Sequence, residues 1–334
     1  MRNHHIRLLF TIMLIASAAA LTGCPQSASP PGVDVDADGG ASSATPSGTI
    51  RISGAWALYP MTVKWVEEYR AIHPEVRIDV SAGGAGKGVA DALGGMVDIG
   101  MVSRAIRPEE ISKGGWFVSV ARDSVFPIAS EANPVLEQLR ETGVTRETFA
   151  AIWMTGEVTT WGQAAGTENT ETLSVYTRSD ACGAAETWAR FLGGEQEDLG
   201  GTGVYGDPGL TEAIRKDPLG IGFANLNYAY DPKTDLPIEG IFIVPLDVNG
   251  NGRLDEDEDF YATGDQVVQA LSEGRYPSPP MRDLYLLCKS APEGATRDFI
   301  TWVLTEGQKY VREAGFVPLD DETLAAEMKK LEQQ

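Results

Sequence analysis

Short apolar strands alternate with helical segments from Thr49 onward, and this alternation constrains the fold more than any other feature of the sequence. Residues 49–54 and 76–80 have the alternating pattern of strands, whereas residues 61–72 repeat apolar side chains at helical spacing. Residues 97–102 predict a third strand. Because segments that alternate in this way build sheets covered by helices, the sequence predicts an α/β fold with a mainly parallel sheet. A length of 334 residues allows about two such units.

The charge and histidine content exclude some classes of function. A formal net charge of −21 argues against a nucleic-acid partner, because binding to a phosphate backbone needs basic patches. A small anionic ligand is compatible with this net charge, since a helix dipole and one arginine can outweigh the negative potential of the whole protein at one place. The sequence contains three histidines, His4, His5 and His73, and so offers few candidates for histidine-based catalysis.

The N-terminal segment predicts export and membrane attachment. Residues 1–23 combine early arginines with an apolar run that is too short for a confident membrane span. The run ends in LTGC with Cys24 last, which resembles the lipobox of bacterial lipoproteins. This resemblance implies a lipid-anchored protein of the cell envelope that faces the periplasm or the exterior; a plain secretory peptide is the alternative. Residues 24–48 are rich in Pro, Ser, Gly and Asp and predict a flexible tether.

Two small-residue turns are candidates for anion binding. Arg178 begins a turn that joins a predicted strand over residues 173–176 to a predicted helix over residues 186–192. Free N–H groups at a helix N-terminus favour anions, although an ordinary turn with a surface arginine fits as well. The glycine-rich residues 81–88 precede another predicted helix, but Lys87 is followed by glycine and not Ser or Thr, so a nucleotide P-loop is not expected.

Oxygen-bearing side chains in residues 247–258 follow the spacing of an EF-hand calcium loop, with glycine at its sixth position. The predicted ligands are Asp247, Asn249, Asn251, the Arg253 carbonyl, Asp255 and Glu258. Pro245 after a predicted strand leaves no helix on the N-terminal side, so we expect structural calcium and not a sensor. An acidic turn that holds no ion is the alternative. Beyond Cys24, Cys182 and Cys288 could form a disulfide or stay as thiols.

An ordered set of motifs resembles the phosphate-binding proteins of phosphate ABC transporters. The set comprises GAWALYP at 54–60, GGAG at 83–86, DIGMVSR at 98–104, RSDACG at 178–183, GIGF at 220–223, YPSPP at 276–280 and GFVP at 315–318. The resemblance implies a two-lobed type II periplasmic-binding fold with hinge strands and a ligand in the cleft. It places residues 49–122 and 281–334 in lobe 1 and residues 123–280 in lobe 2.

The same resemblance implies the ligand residues and the partners. The ligand set is Trp56, Ala57, Ala85, Gly86, Ser103, Arg178, Cys182, Gly183 and Ala184. Arg178 would clamp inorganic phosphate or a related small oxyanion as the lobes close, and a monomeric protein would deliver the ligand to an ABC permease. No nucleophile–base pair is apparent in the sequence, so an enzyme is not expected.

Several positions depart from the family pattern. The family typically carries Ser or Thr after the first strand, where this chain has Ala55, Trp56 and Ala57. Ala85, Cys182 and Ala184 stand at further positions of this kind, while Ser103 and Arg178 match. Each lost hydrogen bond to a charged ligand costs roughly 1.5–3 kcal/mol, so phosphate affinity should fall unless other donors substitute. Trp56 could stack on or wall off a different ligand, or be a core residue if the alignment is shifted by one. A divergent binding protein for another ligand, or a calcium-stabilised surface lipoprotein that binds a partner, is therefore the alternative function.

Overall fold

The computed structural model describes residues 47–333, which form a single compact unit built on two five-stranded sheets. The strands are β1 (Gly48–Gly54), β2 (Val76–Ala82), β3 (Ile99–Val102), β4 (Trp116–Asp123), β5 (Val125–Ser130), β6 (Ser174–Arg178), β7 (Thr202–Val204), β8 (Gly220–Asn225), β9 (Tyr230–Asp231), β10 (Leu236–Pro237), β11 (Ile241–Ile243) and β12 (Arg282–Cys288). The short strands β9 and β10 pair only with each other.

Thirteen α-helices lie between and after these strands within residues 47–333. They are α1 (Tyr59–Ile72), α2 (Ala85–Leu93), α3 (Pro108–Ser112), α4 (Leu136–Thr142), α5 (Arg146–Ala150), α6 (Trp161–Ala165), α7 (Gly183–Leu192), α8 (Gly206–Lys216), α9 (Leu226–Ala229), α10 (Gly264–Ser272), α11 (Gly294–Leu304), α12 (Lys309–Glu313) and α13 (Asp321–Glu332). A π-helical turn over Ala151–Thr155 continues α5, and short 3₁₀ turns cover Trp56–Leu58, Gln196–Asp198 and Glu306–Gln308.

Each sheet is mixed. The first has the order β2-β1-β3-β12-β4, with β1 parallel to β2 and β3, and β12 antiparallel to β3 and β4. The second has the order β11-β5-β8-β6-β7, with β6 parallel to β7 and β8, and β5 antiparallel to β8 and β11. The two-lobed α/β prediction is confirmed. In each sheet four of the five strands run in the same direction, and one strand runs against them: β12 in the first sheet and β5 in the second.

The chain crosses between the lobes at two places. Ser124 alone separates β4 in the first sheet from β5 in the second, and β12 returns the chain to the first sheet. Each sheet has its own apolar core. The core of the first lobe includes Trp65 and Phe299, and that of the second includes Trp153 and Trp188.

Most predicted elements are present with shifted ends. Helix α2 begins at Ala85 and not near residue 89, because Gly84 (φ 91°) ends the preceding loop and alanine favours the helix at once. The sequence also predicts one C-terminal helix over residues 293–314, but the chain is broken into α11 and α12 at Thr305. There the indole N–H of Trp65 donates to Gly307 O at 2.9 Å, and this packing fixes the turn.

The predicted signal peptide (residues 1–23), the lipidated Cys24 and nearly all of the predicted tether lie outside the described residues. Gly48, the last tether residue, already belongs to β1. Within residues 47–333, none of the helices has the length and apolar character that crossing a membrane requires.

Candidate functional site

Loops from the two lobes meet in the cleft between them. Gly86, in the first turn of α2, donates its N–H to Ala181 O at 3.2 Å. A Cβ on Gly84 would lie 2.9 Å from Ala181 O, and Gly183 packs so tightly on Ser103 that no side chain would fit there. The structure therefore brings together predicted ligand residues from both lobes: Ala85, Gly86, Ser103, Arg178, Cys182, Gly183 and Ala184.

Arg178 is the last residue of β6, and its side chain is fully buried. Its Nε and Nη2 donate to the two carboxylate oxygens of Asp180 at 2.8 and 2.7 Å, and its Nη1 donates to Asp207 at 2.5 Å. Burial lowers the pKa of the guanidinium, but the attraction of these carboxylates outweighs it and raises the pKa above its usual value. A guanidinium has five N–H donors, so this cation keeps donor capacity beyond these three contacts.

The N-terminus of α7 faces the same place. Cys182 precedes the helix and its Sγ accepts the N–H of Ala185 at 3.4 Å, which is the role that a Ser or Thr hydroxyl usually has. Burial raises the pKa of this thiol to about 12, so it is neutral at pH 7. No acceptor within residues 47–333 engages the N–H groups of Gly183 and Ala184. The positive end of a ten-residue helix thus presents open donors in the cleft.

A second buried arginine extends the polar network to the hinge. Arg282, at the start of β12, donates to Gly183 O at 2.6 Å, to Asp123 at 3.2 Å and to Asn225. Asn225 in turn donates to Asp207. Burial raises the pKa of Asp123 to about 6 even though Arg282 acts to lower it. The network therefore links α7, both sheets and the strand crossing.

A third arginine cluster joins the lobes beside this network. Arg104 donates to Glu110 at 3.0 and 2.7 Å and lies 3.4 Å from Glu186 of α7. The half-exposed Arg107 donates to Glu186 at 2.9 Å.

The sequence did not predict Glu110, Glu186 and Asp207 as residues of the site. An acidic residue in a first helical turn is a weak signal, and the pairing itself depends on residues far apart in sequence.

Trp56 lies at the mouth of the cleft and not in either core. Its ring meets those of Tyr59 and Tyr205 edge-on, with centroids 6.3 Å apart in both pairs. The hydroxyl of Tyr228, in the second lobe, donates to Trp56 O at 3.3 Å. The neighbouring Ala57 is instead buried in the core of the first lobe, so its side chain packs against apolar residues.

Residues 247–258 form a loop around two buried carboxylates. Asp247 accepts the N–H groups of Gly250, Asn251 and Gly252 at 2.7, 3.2 and 2.9 Å. Glu258 accepts those of residues 248, 249 and 255 at 3.0, 3.2 and 3.2 Å. Neither carboxylate is paired with a basic side chain of the described residues.

The remaining predicted calcium ligands lie on the outside of this loop. The amide groups of Asn249 and Asn251 donate to Asp255 at 2.9 and 2.6 Å, and Arg253 pairs with Asp255 at 2.7 Å. No group of three or more His, Cys, Asp or Glu side chains in residues 47–333 is arranged to hold a metal ion. The three carboxylates of the predicted set, Asp247, Asp255 and Glu258, therefore do not form such a group in the described structure.

The two cysteines of the described part, Cys182 and Cys288, are both free and buried. They belong to different lobes, at the start of α7 and at the end of β12. Of the alternatives that the sequence left open, free thiols are the one observed.

Comparisons with known proteins define the class. The model of the PBP superfamily domain matches residues 39–306, and the chain belongs to this superfamily. The phosphate-binding protein PstS of Xylella fastidiosa Temecula1 is 26% identical over 352 residues, with 93% of each chain covered. PstS of Methanocaldococcus jannaschii is 26% identical over 314 residues, covering 78% of this chain and 79% of its own.

Solved structures agree on the fold. A Clostridium perfringens protein, described as a phosphate ABC transporter substrate-binding protein with bound phosphate, superposes with a TM-score of 0.67 at 22% identity, over 82% of this chain and all of its own. A phosphate transport receptor from Vibrio cholerae gives 0.58 at 20% identity, over 81% of this chain and all of its own. The predicted family and fold are confirmed, and the relatives are binding proteins and not enzymes.

Proposed function

We propose that this protein binds phosphate, or a closely related small oxyanion, between its lobes and delivers it to the permease of an ABC importer. The observation that carries the proposal is the buried Arg178 close to Cys182, the residue that caps α7, together with N–H groups of Gly183 and Ala184 that have no acceptor among the described residues. A buried cation beside a helix N-terminus is an arrangement suited to a small anion. Similarity to phosphate-binding proteins over almost the whole chain supports the same ligand.

The affinity should be lower than that of a site rich in hydroxyl groups. Ala85 and Ala184 have no side-chain donor, and the Cys182 thiol already accepts from the helix backbone. Asp180 and Asp207 also bring negative charge to Arg178. Backbone N–H groups and the helix dipole therefore supply a large share of the attraction for the ligand.

Isothermal titration of the purified protein with phosphate and sulfate tests the proposal. We expect saturable binding of phosphate, and tighter binding by about tenfold when Ala184→Thr restores a hydroxyl, from one added hydrogen bond to a charged group. Ala325→Thr, on the exposed face of α13, is the matched control and should leave the affinity unchanged. Absence of binding with every small oxyanion would overturn the proposal.

The specific observation that favours a divergent ligand is alanine at positions 85 and 184, which offers no hydroxyl donor; both side chains are buried and pack in the apolar cores of the lobes. If sulfate or another anion binds and phosphate does not, the protein serves a different import system while the mode of binding stays the same. In either case the proposal has the protein act as a monomer.

Lipid attachment at Cys24 is the second part of the proposal, supported by the LTGC pattern and the long polar segment after it. It would hold the binding protein at the membrane, facing the periplasm or the exterior. Fractionation of expressing cells tests this attachment. The protein should be recovered with membranes, and Cys24→Ala should move it to the soluble fraction.

The third part is that residues 247–258 bind one structural calcium ion. The two buried carboxylates, Asp247 and Glu258, have no basic partner among the described residues. One oxygen of each, Asp247 Oδ2 and Glu258 Oε2, accepts a single N–H group and so keeps a further lone pair. Asn249, Asn251 and Asp255 supply further oxygens of the type that calcium prefers. The ion would stiffen the loop, since β11 precedes it and α10 follows it in the chain, and no EF-hand pair of helices encloses it among the described residues.

A further inference from the structure

Trp56 reaches from the first lobe onto a glycine of the second. A Cβ added to Gly206 would lie 3.2 Å from Cε2 of the Trp56 ring, 3.3 Å from Cζ2 and 3.4 Å from Nε1. Gly206 has φ of 73°, a conformation that side chains disfavour. The indole ring of Trp56 therefore packs directly on the backbone of Gly206, and the ring of Tyr205 contacts the indole edge-on.

This contact lies directly beside the buried arginine. The N–H of Gly206 donates to Asp180 Oδ1 at 3.1 Å, and the same oxygen accepts from Arg178 Nε at 2.8 Å. Asp180 is therefore the residue that connects Gly206, on which the indole packs, with the Arg178 guanidinium. The apolar indole ring of the first lobe lies against the second lobe and covers the mouth of the cleft.

The indole N–H has no acceptor. Trp56 Nε1 is buried, and it makes no hydrogen bond with any of the described residues. A buried donor without a partner is costly, and most such groups in folded proteins are satisfied. An anion oxygen in the cleft would satisfy it, and it would replace one of the hydroxyl donors absent at Ala85 and Ala184.

We propose that Trp56 is the residue that determines ligand class. Its ring closes the mouth over an unsubstituted tetrahedral oxyanion, and its N–H donates to one oxygen of that ion. A phosphate monoester carries a substituent that cannot leave the cleft while the ring rests on Gly206, so monoesters are rejected. This inference depends on the proposed function, because it concerns the same ligand.

Calorimetric titration with two probes, inorganic phosphate and phenyl phosphate, tests the inference. Wild-type protein should bind phosphate at least tenfold more tightly than phenyl phosphate. Trp56→Ala should lower this ratio at least tenfold, because it opens the mouth. Trp56→Phe should keep the ratio near that of the wild type but weaken phosphate about tenfold, since it keeps a ring and removes the N–H.

Controls make the outcomes separable. Trp116→Phe, at a half-buried tryptophan of β4, should leave both affinities unchanged. If Trp56→Ala fails to fold by circular dichroism, Trp56→Leu gives the same test with less loss of packing. Equal binding of both probes by the wild type, or an unchanged ratio in the alanine or leucine variant, would overturn this inference alone. Binding of neither probe would also overturn this inference, and failure of sulfate and the other small oxyanions as well would overturn the proposed function.

Discussion

The cleft and the loop over residues 247–258 both bury carboxylates, but they balance the negative charge differently. In the cleft, Asp180 and Asp207 are 7% and 1% exposed and share the buried Arg178. In the loop, Asp247 and Glu258 are 4% and 5% exposed and accept only backbone N–H groups within the described residues. The carboxylates of the two regions are thus buried to a similar degree, but only those of the cleft have an arginine as a partner.

This difference concerns the source of the positive charge that balances the buried carboxylates of each region. A buried carboxylate needs a cation or several hydrogen bonds, because the desolvation of an ion is costly. The cleft supplies arginines from the sequence itself, so its network can form without a bound ion. The loop supplies no arginine but gives each carboxylate three backbone N–H groups, and the proposed calcium ion would add a positive charge to this arrangement.

Removal of a cleft carboxylate should give the largest effect. Asp207→Ala leaves Arg178 and Asn225 with a lost partner in a buried site, and we expect a loss of about 3–5 kcal/mol in the free energy of unfolding. Urea denaturation measures it. Asp79→Ala is the matched control, since Asp79 pairs with Arg77 on the surface and should cost less than about 1 kcal/mol. Equal effects of the two substitutions would show that the cleft network does not stabilise the fold.

Chelation of calcium should give the next largest effect, and it bears only on the loop. If calcium is held at about 100 times its dissociation constant, its removal should lower the free energy of unfolding by about 2.7 kcal/mol. Thermal denaturation with and without a chelator measures the shift. The double substitution Asp247→Ala with Glu258→Ala should abolish the chelator effect.

A control within the same loop isolates the ligand positions. Glu256→Ala with Asp257→Ala removes the same number of charges at exposed positions that are not predicted ligands. The chelator effect should survive this change. If it disappears there, or persists when Asp247 and Glu258 are replaced, then the assignment of calcium to this loop is wrong.

Local sequence patterns predicted the ends of the cleft elements better than their interactions. The turn after Arg178 was recognised because strand and helix periodicities lie on either side of it. The helix after it begins at Gly183, three residues earlier than predicted, because the Cys182 thiol caps it. A thiol in place of a hydroxyl is a weak capping signal, so the pattern placed the boundary too late.

Interactions between distant residues could not be read from the sequence. Arg178 and Asp207 are 29 residues apart, and Arg104 meets Glu186 across the cleft. Each arginine had many acidic residues as potential partners in a chain with 48 of them. The packing of α8 against β6 brings Asp207 to Arg178 within the second lobe. The crossing of β4 into β5 and the return through β12 set the lobes so that Arg104 meets Glu186. The helix α13 was also missed, although Asp320 caps it through the N–H of Thr323 at 2.8 Å.

Asp123 gives the smallest predicted effect. This residue belongs to the cleft network, and its partner Arg282 does not fully compensate the cost of burying the carboxylate. Burial raises its pKa from 3.8 to about 6. A raised pKa means that the folded protein holds this proton more tightly than the unfolded chain, so the group stabilises the fold at low pH and loses that contribution as pH rises through about 6. From pH 7 to pH 5, the wild type should gain roughly 1 kcal/mol relative to Asp123→Asn, which cannot titrate. Urea denaturation of both proteins at the two pH values measures the difference. Parallel pH dependence would show that Arg282 compensates the carboxylate in full.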